Sequence, residues 1–126
     1  MKVLLIDDEE SILEVFKQAL EQEEIEVITA LTATDGMDKA RTQHPDIIFL
    51  DQILPDMGGN EALQQLKADP DTKRIPIAML SNFNQQTLID AAIKIGASEY
   101  ILKYQIAPKD LVGKAKQLVE EAKSSQ

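Results

Sequence analysis

At 126 residues, with no cysteine and a formal charge of −9 from 13 basic and 22 acidic side chains, the chain excludes several classes of protein. Disulfide scaffolds, thiolate metal centres and thiol nucleophiles all need cysteine, and so acidic a surface repels phosphate backbones and anionic lipids, which argues against direct nucleic-acid binding. The length suits one domain, 1–126, burying about two thirds of the surface its unfolded form exposes, and no stretch can cross a bilayer, so the expectation is a cytoplasmic protein without membrane insertion.

The chain opens on Val3-Leu4-Leu5-Ile6, a strand pattern that resembles a signal peptide for only four apolar positions before Asp7-Asp8-Glu9-Glu10 ends it. A helix from about residue 10 carries Ile12, Leu13, Phe16, Ala19 and Leu20 as one apolar stripe, with Ser11 and the preceding acids suiting its N-terminus. A strand at 26–30 precedes a weaker helix, with Thr32 or Thr34 as N-cap and only Met37 and Ala40 to bury, ending before His44-Pro45. Ile47-Ile48-Phe49-Leu50 is too short for a helix and apolar on both alternating faces, as a strand buried on both sides must be. Pro55 and Gly58-Gly59 stop it, and a third helix from about Asn60 turns Ala62, Leu63 and Leu66 inward until Asp69-Pro70-Asp71. The fourth strand is expected at 75–80, with Pro76 tolerable only as a first strand residue. A fourth helix over roughly 84–95 places Leu88, Ile89, Ala92 and Ile93 inward and Gly96 in the left-handed position that ends it. After a strand at 98–102, a fifth helix has Pro108 in its first turn and Leu111, Val112, Ala115, Leu118, Val119 and Ala122 on one face; 124–126 are expected to fray.

Five strands alternate with five helices. Because βαβ crossovers are right-handed and parallel strands need helices on their faces, this predicts a three-layer α/β/α sandwich on a five-stranded parallel sheet. The runs at 3–6, 47–50 and 77–80 are wholly apolar and therefore central, while Glu26-Val27-Ile28-Thr29 and Ser98-Glu99-Tyr100-Ile101 carry polar residues and belong at edges. The order 2-1-3-4-5, that of flavodoxin-like sheets, satisfies both conditions.

Ligands of such sheets bind beyond the carboxyl ends of the strands, at the switch point between strands 1 and 3. Strand 1 delivers Asp7 and Asp8 there, strand 3 Asp51, strand 4 Ser81 and strand 5 Lys103, whereas strand 2 delivers no charge. Each has a plain explanation by itself, since Asp is common in turns. Together they put three carboxylates in one crevice, where repulsion is relieved by a cation or by protonation. Hard oxygen donors that leave room for water suit Mg²⁺, and no Gly-rich or hydroxyl-rich phosphate cradle follows Ile6. A carboxylate can attack phosphorus to give an acyl phosphate, with positioning and charge neutralisation supplying most of the catalysis. Asp51 is the candidate nucleophile. Asp8, with Asp7 behind it or through water, and the backbone carbonyl of Ile53 are the candidate metal ligands beside Asp51. Lys103 would pair first with Asp51 and then with a phosphoryl oxygen, and Ser81 would donate its hydroxyl to another.

Over essentially its full length the sequence resembles the receiver domain of two-component response regulators, on Asp7-Asp8, on Asp51 followed by Pro55 and Gly59, and on Ser81, Tyr100 and Lys103. The resemblance implies that Asp51 takes a phosphoryl group from a phosphohistidine on a sensor histidine kinase or phosphotransfer protein, with Mg²⁺ required. It further implies that Tyr100 moves inward as the Ser81 loop shifts, and that helix 4, strand 5 and helix 5 form the face read by a downstream protein target. With no output domain in 1–126, the chain looks like a stand-alone receiver of the chemotaxis or phosphorelay sort, a switch and not a turnover enzyme.

Two positions depart from the family's pattern: Tyr104 follows Lys103 where proline is usual, and Asn82 follows Ser81 where a small residue is usual. A cis bond to a residue other than proline costs about 3 kcal/mol, so the Lys103–Tyr104 bond is either trans, with Lys103 shifted, or cis and held by its surroundings. Two other functions stand against the switch. A Mg²⁺-dependent phosphatase forming an aspartyl phosphate would want Asp-x-Asp, which Asp51-Gln52-Ile53 lacks. A pseudo-receiver that binds partners without phosphorylation would not need the full set of acids and Lys103. His44 reads as a surface turn residue, Glu9, Glu10, Asp46 and Asp56 as turn or helix-start residues, and Tyr104 as an exposed partner contact or an ordinarily packed side chain.

Overall fold

The computed structural model describes residues 1–124. In chain order these form β1 (Lys2–Ile6), α1 (Glu10–Gln22), β2 (Glu26–Ala30), α2 (Ala33–Gln43), β3 (Ile47–Leu50), α3 (Gly59–Ala68), β4 (Ile77–Ser81), α4 (Gln86–Ile95), β5 (Glu99–Leu102) and α5 (Pro108–Ser124), with a 3₁₀ turn at Lys103–Gln105. The strands pair in parallel in the order β2-β1-β3-β4-β5. Strands β3 and β4 are buried throughout and β1 everywhere but Lys2, whereas β2 and β5 are mostly half-buried, as their polar residues predict for edges.

Alternation along the strands divides the core in two. Val3, Leu5, Phe49 and Leu80 face α1 and α5 and join Leu13, Phe16, Leu20, Leu111, Ala115 and Leu118. Leu4, Ile6, Ile48, Leu50 and Met79 face the other way and join Met37, Ala40, Ala62, Leu63, Leu66 and Ala92 from α2, α3 and α4. Each fully buried Leu, Ile or Phe contributes roughly 1.5–3 kcal/mol, so the two layers hold the sheet between them and leave its carboxyl edge as the place where charged groups emerge.

Several boundaries, and the direction of one side chain, differ from expectation. Pro76 lies outside β4, where its carbonyl accepts the Ile48 N–H at 3.0 Å. A residue without an N–H can still serve the ladder as acceptor, and the strand proper runs to Ser81 instead of ending before it. Helix α3 begins one residue early, at Gly59, and α4 two residues late, at Gln86, which leaves 82–85 as a loop. Ile93 is not inward: it is 48% exposed, and of the α4 stripe only Ala92 is fully buried. This helix packs on α3 and on the short edge strand β5, a surface too narrow to cover four apolar residues. Ser124 is part of α5 and donates its hydroxyl to the Glu120 carbonyl at 3.2 Å, so the helix has not frayed there; Ser125 and Gln126 lie outside the described residues.

Helix ends follow the sequence more closely. Thr32 caps α2 by accepting the Asp35 N–H, and His44 ends that helix at φ 50°, an exposed turn residue as expected. Gly96 ends α4 at φ 132°, while the Ala97 N–H closes on the Ala92 carbonyl at 2.9 Å; a side chain at Gly96 would be strained. Asp56 serves the start of α2 from a distance: its carboxylate accepts the N–H groups of Ala33 (2.9 Å) and Thr34 (2.8 Å) and the Thr34 hydroxyl (2.6 Å). The Thr34 hydroxyl, chiefly, holds the Asp56 pKa down at about 2.

Candidate functional site

Strand register assembles the site. Ile6 pairs with Leu50, so Asp7 and Asp51 leave the sheet side by side, and the Asp51 N–H still donates to the Ile6 carbonyl at 3.0 Å. Ser81 pairs with Leu102, which places Lys103 one step beyond Ser81 on the neighbouring strand. One carboxylate oxygen from each of Asp7, Asp8 and Asp51 lies within 4.8 Å of the others.

Lys103 enters this acid cluster from β5. Its Nζ lies 2.6 Å from Asp7 Oδ2, 3.1 Å from Glu9 Oε1 and 3.3 Å from Asp51 Oδ2. Asp7, Asp51 and Lys103 are buried, while Asp8 is exposed at the rim. The remaining oxygens of the buried acids are also held: Asp7 Oδ1 accepts the Glu9 N–H at 2.9 Å and Asp51 Oδ1 the Gln52 N–H at 2.8 Å. Burial pushes the Asp51 carboxyl up to about 6 and Asp7 repels its charge; Lys103 and the Gln52 N–H oppose both without cancelling them. Burial acts to lower the Lys103 pKa, but the hydrogen bond to Asp7, the charges of Asp51 and Asp7 and the bond to Glu9 together raise it. The lysine is therefore a fixed cation, and Asp51 carries a charge that its burial disfavours.

The donor set fits a hard divalent ion. Three carboxylate oxygens converge, one of them at the water-facing rim, and Mg²⁺ typically takes one or two carboxylates while keeping several waters. One ammonium facing four acids leaves negative charge for an ion to neutralise.

Of the sequence-predicted site residues, Asp7, Asp8, Asp51 and Lys103 are brought together, and the others stand around them. Ser81 is fully buried at the end of β4, where its Oγ accepts the Phe83 N–H at 3.2 Å. Tyr100 donates its hydroxyl to the Phe83 carbonyl at 2.8 Å. Ile53 lies in the loop after β3, bridged to Gly58, with its side chain 49% exposed. The Lys103–Tyr104 bond is trans, like every other described peptide bond, and Lys103 reaches the acids as the first residue of the 3₁₀ turn. Tyr104 is 60% exposed and its hydroxyl accepts from Asn84 at 3.3 Å.

Two residues at the site escaped the sequence reading. Glu9 does not cap α1 with its side chain; its carboxylate goes to Lys103 instead. Gln52 is buried directly behind Asp51 and bonded to Asn60. The available signals were a third acid two residues after Asp7 and an amide interrupting the apolar run 47–54. Gly59 explains the close approach of α3: its N–H donates to the Gln52 carbonyl at 2.7 Å, and a Cβ there would collide with the Asp51 carbonyl and lie 2.7 Å from Gln52 Cα.

Fold and site together define a class: a CheY-like, flavodoxin-like α/β domain whose carboxyl edge carries an acid cluster gathered on one lysine. Within that class the chain belongs to the response regulator receiver domain family, whose model matches residues 3–116. It is 31% identical over 121 residues to the alkaline phosphatase synthesis transcriptional regulatory protein PhoP of Bacillus subtilis, covering 96% of this chain and 49% of the relative. A CheY-like response regulator receiver domain protein from Methanospirillum hungatei superposes with a TM-score of 0.91 at 30% identity, covering 99% of this chain and 98% of that one. The Mn²⁺-bound form of the response regulator Rcp1 superposes with a TM-score of 0.76 at 25% identity, covering 92% and 89%. The chain spans about half the length of the curated relatives it matches. Phosphorylation and Mg²⁺ binding are typical of this family of signalling switches, and no described helix is long and apolar enough to cross a membrane.

Proposed function

We propose that this domain is a phosphoryl-accepting switch in which Asp51 takes a phosphoryl group from a phosphohistidine on a sensor histidine kinase or phosphotransfer protein. The observation that carries the reading is Asp51 itself, a buried carboxylate at the end of the central strand with Lys103 Nζ 3.3 Å from Oδ2 and Asp7 and Asp8 beside it. Asp8, Asp51, the backbone carbonyl of Ile53 and Asp7, directly or through water, would hold Mg²⁺; the name of the Mn²⁺-bound relative supports a divalent ion there. Such an ion, when bound, supplies charge neutralisation between the acids and the incoming phosphoryl group.

The chain's own residues do the rest. Ionised Asp51 attacks phosphorus, a bond forms from its carboxylate oxygen, and the P–N bond of the donor breaks with the electron pair leaving on the imidazole. Lys103, already a cation held by Asp7 and Glu9, shifts its third contact from Asp51 to a phosphoryl oxygen. Ser81 turns its hydroxyl from the loop toward another, and Tyr100 follows the loop inward. The replacement of about one negative charge by roughly two supplies the drive. The result is one phosphoryl group accepted and lost, not sustained turnover of a substrate.

In this reading the domain's output is contact with a downstream protein through α4, β5 and α5. Exposed Ile93 on α4 supplies that face with apolar surface, and the charge of −9 gives it no direct hold on nucleic acid. Incubation with a small acyl phosphate and Mg²⁺ followed by intact mass measurement tests the reading. A gain of one phosphoryl group, absent in Asp51→Asn and without metal, supports it. No gain with any donor leaves a binding module, and continuous phosphate release from an organic phosphate leaves a phosphatase.

A further inference from the structure

Gln52 is 3% exposed, a buried amide that costs free energy unless its donors and acceptor are all placed. Every one is placed. Its backbone N–H donates to Asp51 Oδ1 at 2.8 Å, its Oε1 accepts the Asn60 N–H at 2.9 Å, and its Nε2 donates to Asn60 Oδ1 at 3.1 Å and to the Tyr100 hydroxyl at 3.4 Å. Both partners then pass the connection on. Asn60 Nδ2 donates to the Leu88 carbonyl in α4 at 3.2 Å, and the Tyr100 hydroxyl donates to the Phe83 carbonyl in the loop after Ser81 at 2.8 Å.

Two hydrogen-bonded arms thus leave one side chain and end in the same segment, the 82–85 loop and the first turn of α4. They start from a held point, because the Gly59 N–H donates to the Gln52 carbonyl at 2.7 Å and α3 approaches so closely that a Cβ on Gly59 would meet the Asp51 carbonyl. We infer that Gln52 is a positioning residue that couples the state of Asp51 to the loop at Phe83 through Tyr100 and to α4 through Asn60. The inference rests on the phosphoryl-accepting reading and adds to it the route by which the event at Asp51 reaches α4. Gln52 itself touches no reacting atom through its side chain.

A side chain of the same length without polar atoms keeps the packing and cuts both arms, so Gln52→Met is the first test. The probe is beryllofluoride with Mg²⁺, a stable mimic of a phosphoryl group on a carboxylate, and the readout is backbone and Tyr ring NMR. In the wild-type protein the adduct shifts the resonances around Asp51, in the 82–85 loop and in α4. In Gln52→Met the Asp51 neighbourhood still shifts, while the equilibrium of α4 and Tyr100 returns toward the resting position by at least about fivefold, the lower end of ordinary coupling between sites. Single-arm variants make the test independent of how Gln52→Met folds. Tyr100→Phe diminishes the response at Phe83, leaving what Ser81 drives, and spares Leu88; Asn60→Ala diminishes the response at Leu88 and spares Phe83. Full α4 and loop responses in Gln52→Met, or equal loss at Phe83 and Leu88 in both single-arm variants, overturn the coupling while leaving phosphoryl acceptance intact. No adduct in the wild-type protein removes the parent reading and this one with it.

Discussion

Replacing Asp51 with asparagine removes a charge that the fold holds at a cost, so the variant is expected to be more stable than the wild type in metal-free buffer. The buried carboxyl titrates at about 6 instead of 3.8, and at 1.36 kcal/mol per pH unit this amounts to about 3 kcal/mol at neutral pH, with the attraction of Lys103 already included. A carboxyl with a raised folded-state pKa gives stability that is complete below the unfolded value, near pH 3.8, and lost as pH rises through 6. The advantage of Asp51→Asn is therefore about 3 kcal/mol at pH 7.5 and about 1 kcal/mol at pH 4.5. Urea unfolding reads it directly: with a slope of about 1.5 kcal/mol per molar the midpoint rises by about 2 M at the higher pH. Asparagine keeps an acceptor for the Gln52 N–H, while its amide nitrogen takes the place of Oδ2 against Lys103 Nζ, a donor–donor contact that subtracts from the gain. Saturating Mg²⁺ narrows the gap, because an ion that binds the wild type stabilises it by mass action. Equal stabilities at neutral pH without metal, or a gain that persists undiminished at pH 4.5, would refute the claim that charge burial at Asp51 is what the fold tolerates poorly.

Other perturbations separate the parts of the site. Lys103→Met leaves Asp7 and Asp51 buried without their cation, and thermal unfolding in metal-free buffer is expected to show a loss of roughly 3 kcal/mol that Mg²⁺ largely restores; a loss indifferent to Mg²⁺ counts against the ion replacing the lysine's charge. Mg²⁺ at one hundred times its dissociation constant is expected to add about 2.7 kcal/mol to the wild-type stability, and Asp8→Asn to reduce that increment, measured by unfolding in matched buffers. Asp56→Ala takes the acceptor from the Ala33 and Thr34 N–H groups, leaves the Thr32 cap in place and is expected to cost about 1 kcal/mol at neutral pH. The depressed pKa of Asp56 gives stability present above 3.8 and lost as pH falls through about 2, so wild type and variant converge in that window and an undiminished difference at pH 2 contradicts that role. Gly59→Ala drives a methyl group into the Asp51 and Gln52 backbone and is expected to cost about 1–3 kcal/mol while slowing phosphoryl gain from an acyl phosphate; unchanged unfolding contradicts the close approach.

Sheet order, the layers and the central acids were legible because each depends on a local signal. Wholly apolar runs mark central strands, and the residue that follows a central strand must appear at the carboxyl edge. What escaped depended on the direction of a side chain or on the area of a neighbour. Glu9 stands where a helix start explains an acid well enough, and nothing local says that its carboxylate turns to a lysine 94 residues away. Gln52 looks like an interruption until Asn60, Tyr100 and Leu88 are seen around it. Ile93 fits a helical stripe, but only the fold reveals that β5 is too short to cover it.

In the proposed reaction one particular carboxylate, Asp51, captures phosphorus. Borohydride reduction of the protein after treatment with acyl phosphate and Mg²⁺ converts an aspartyl phosphate to homoserine, and peptide sequencing by mass spectrometry then places it. Homoserine at position 51 alone, absent when Mg²⁺ is chelated, is the predicted result; homoserine at Asp7 or Asp8, or none while the protein remains folded, contradicts the account.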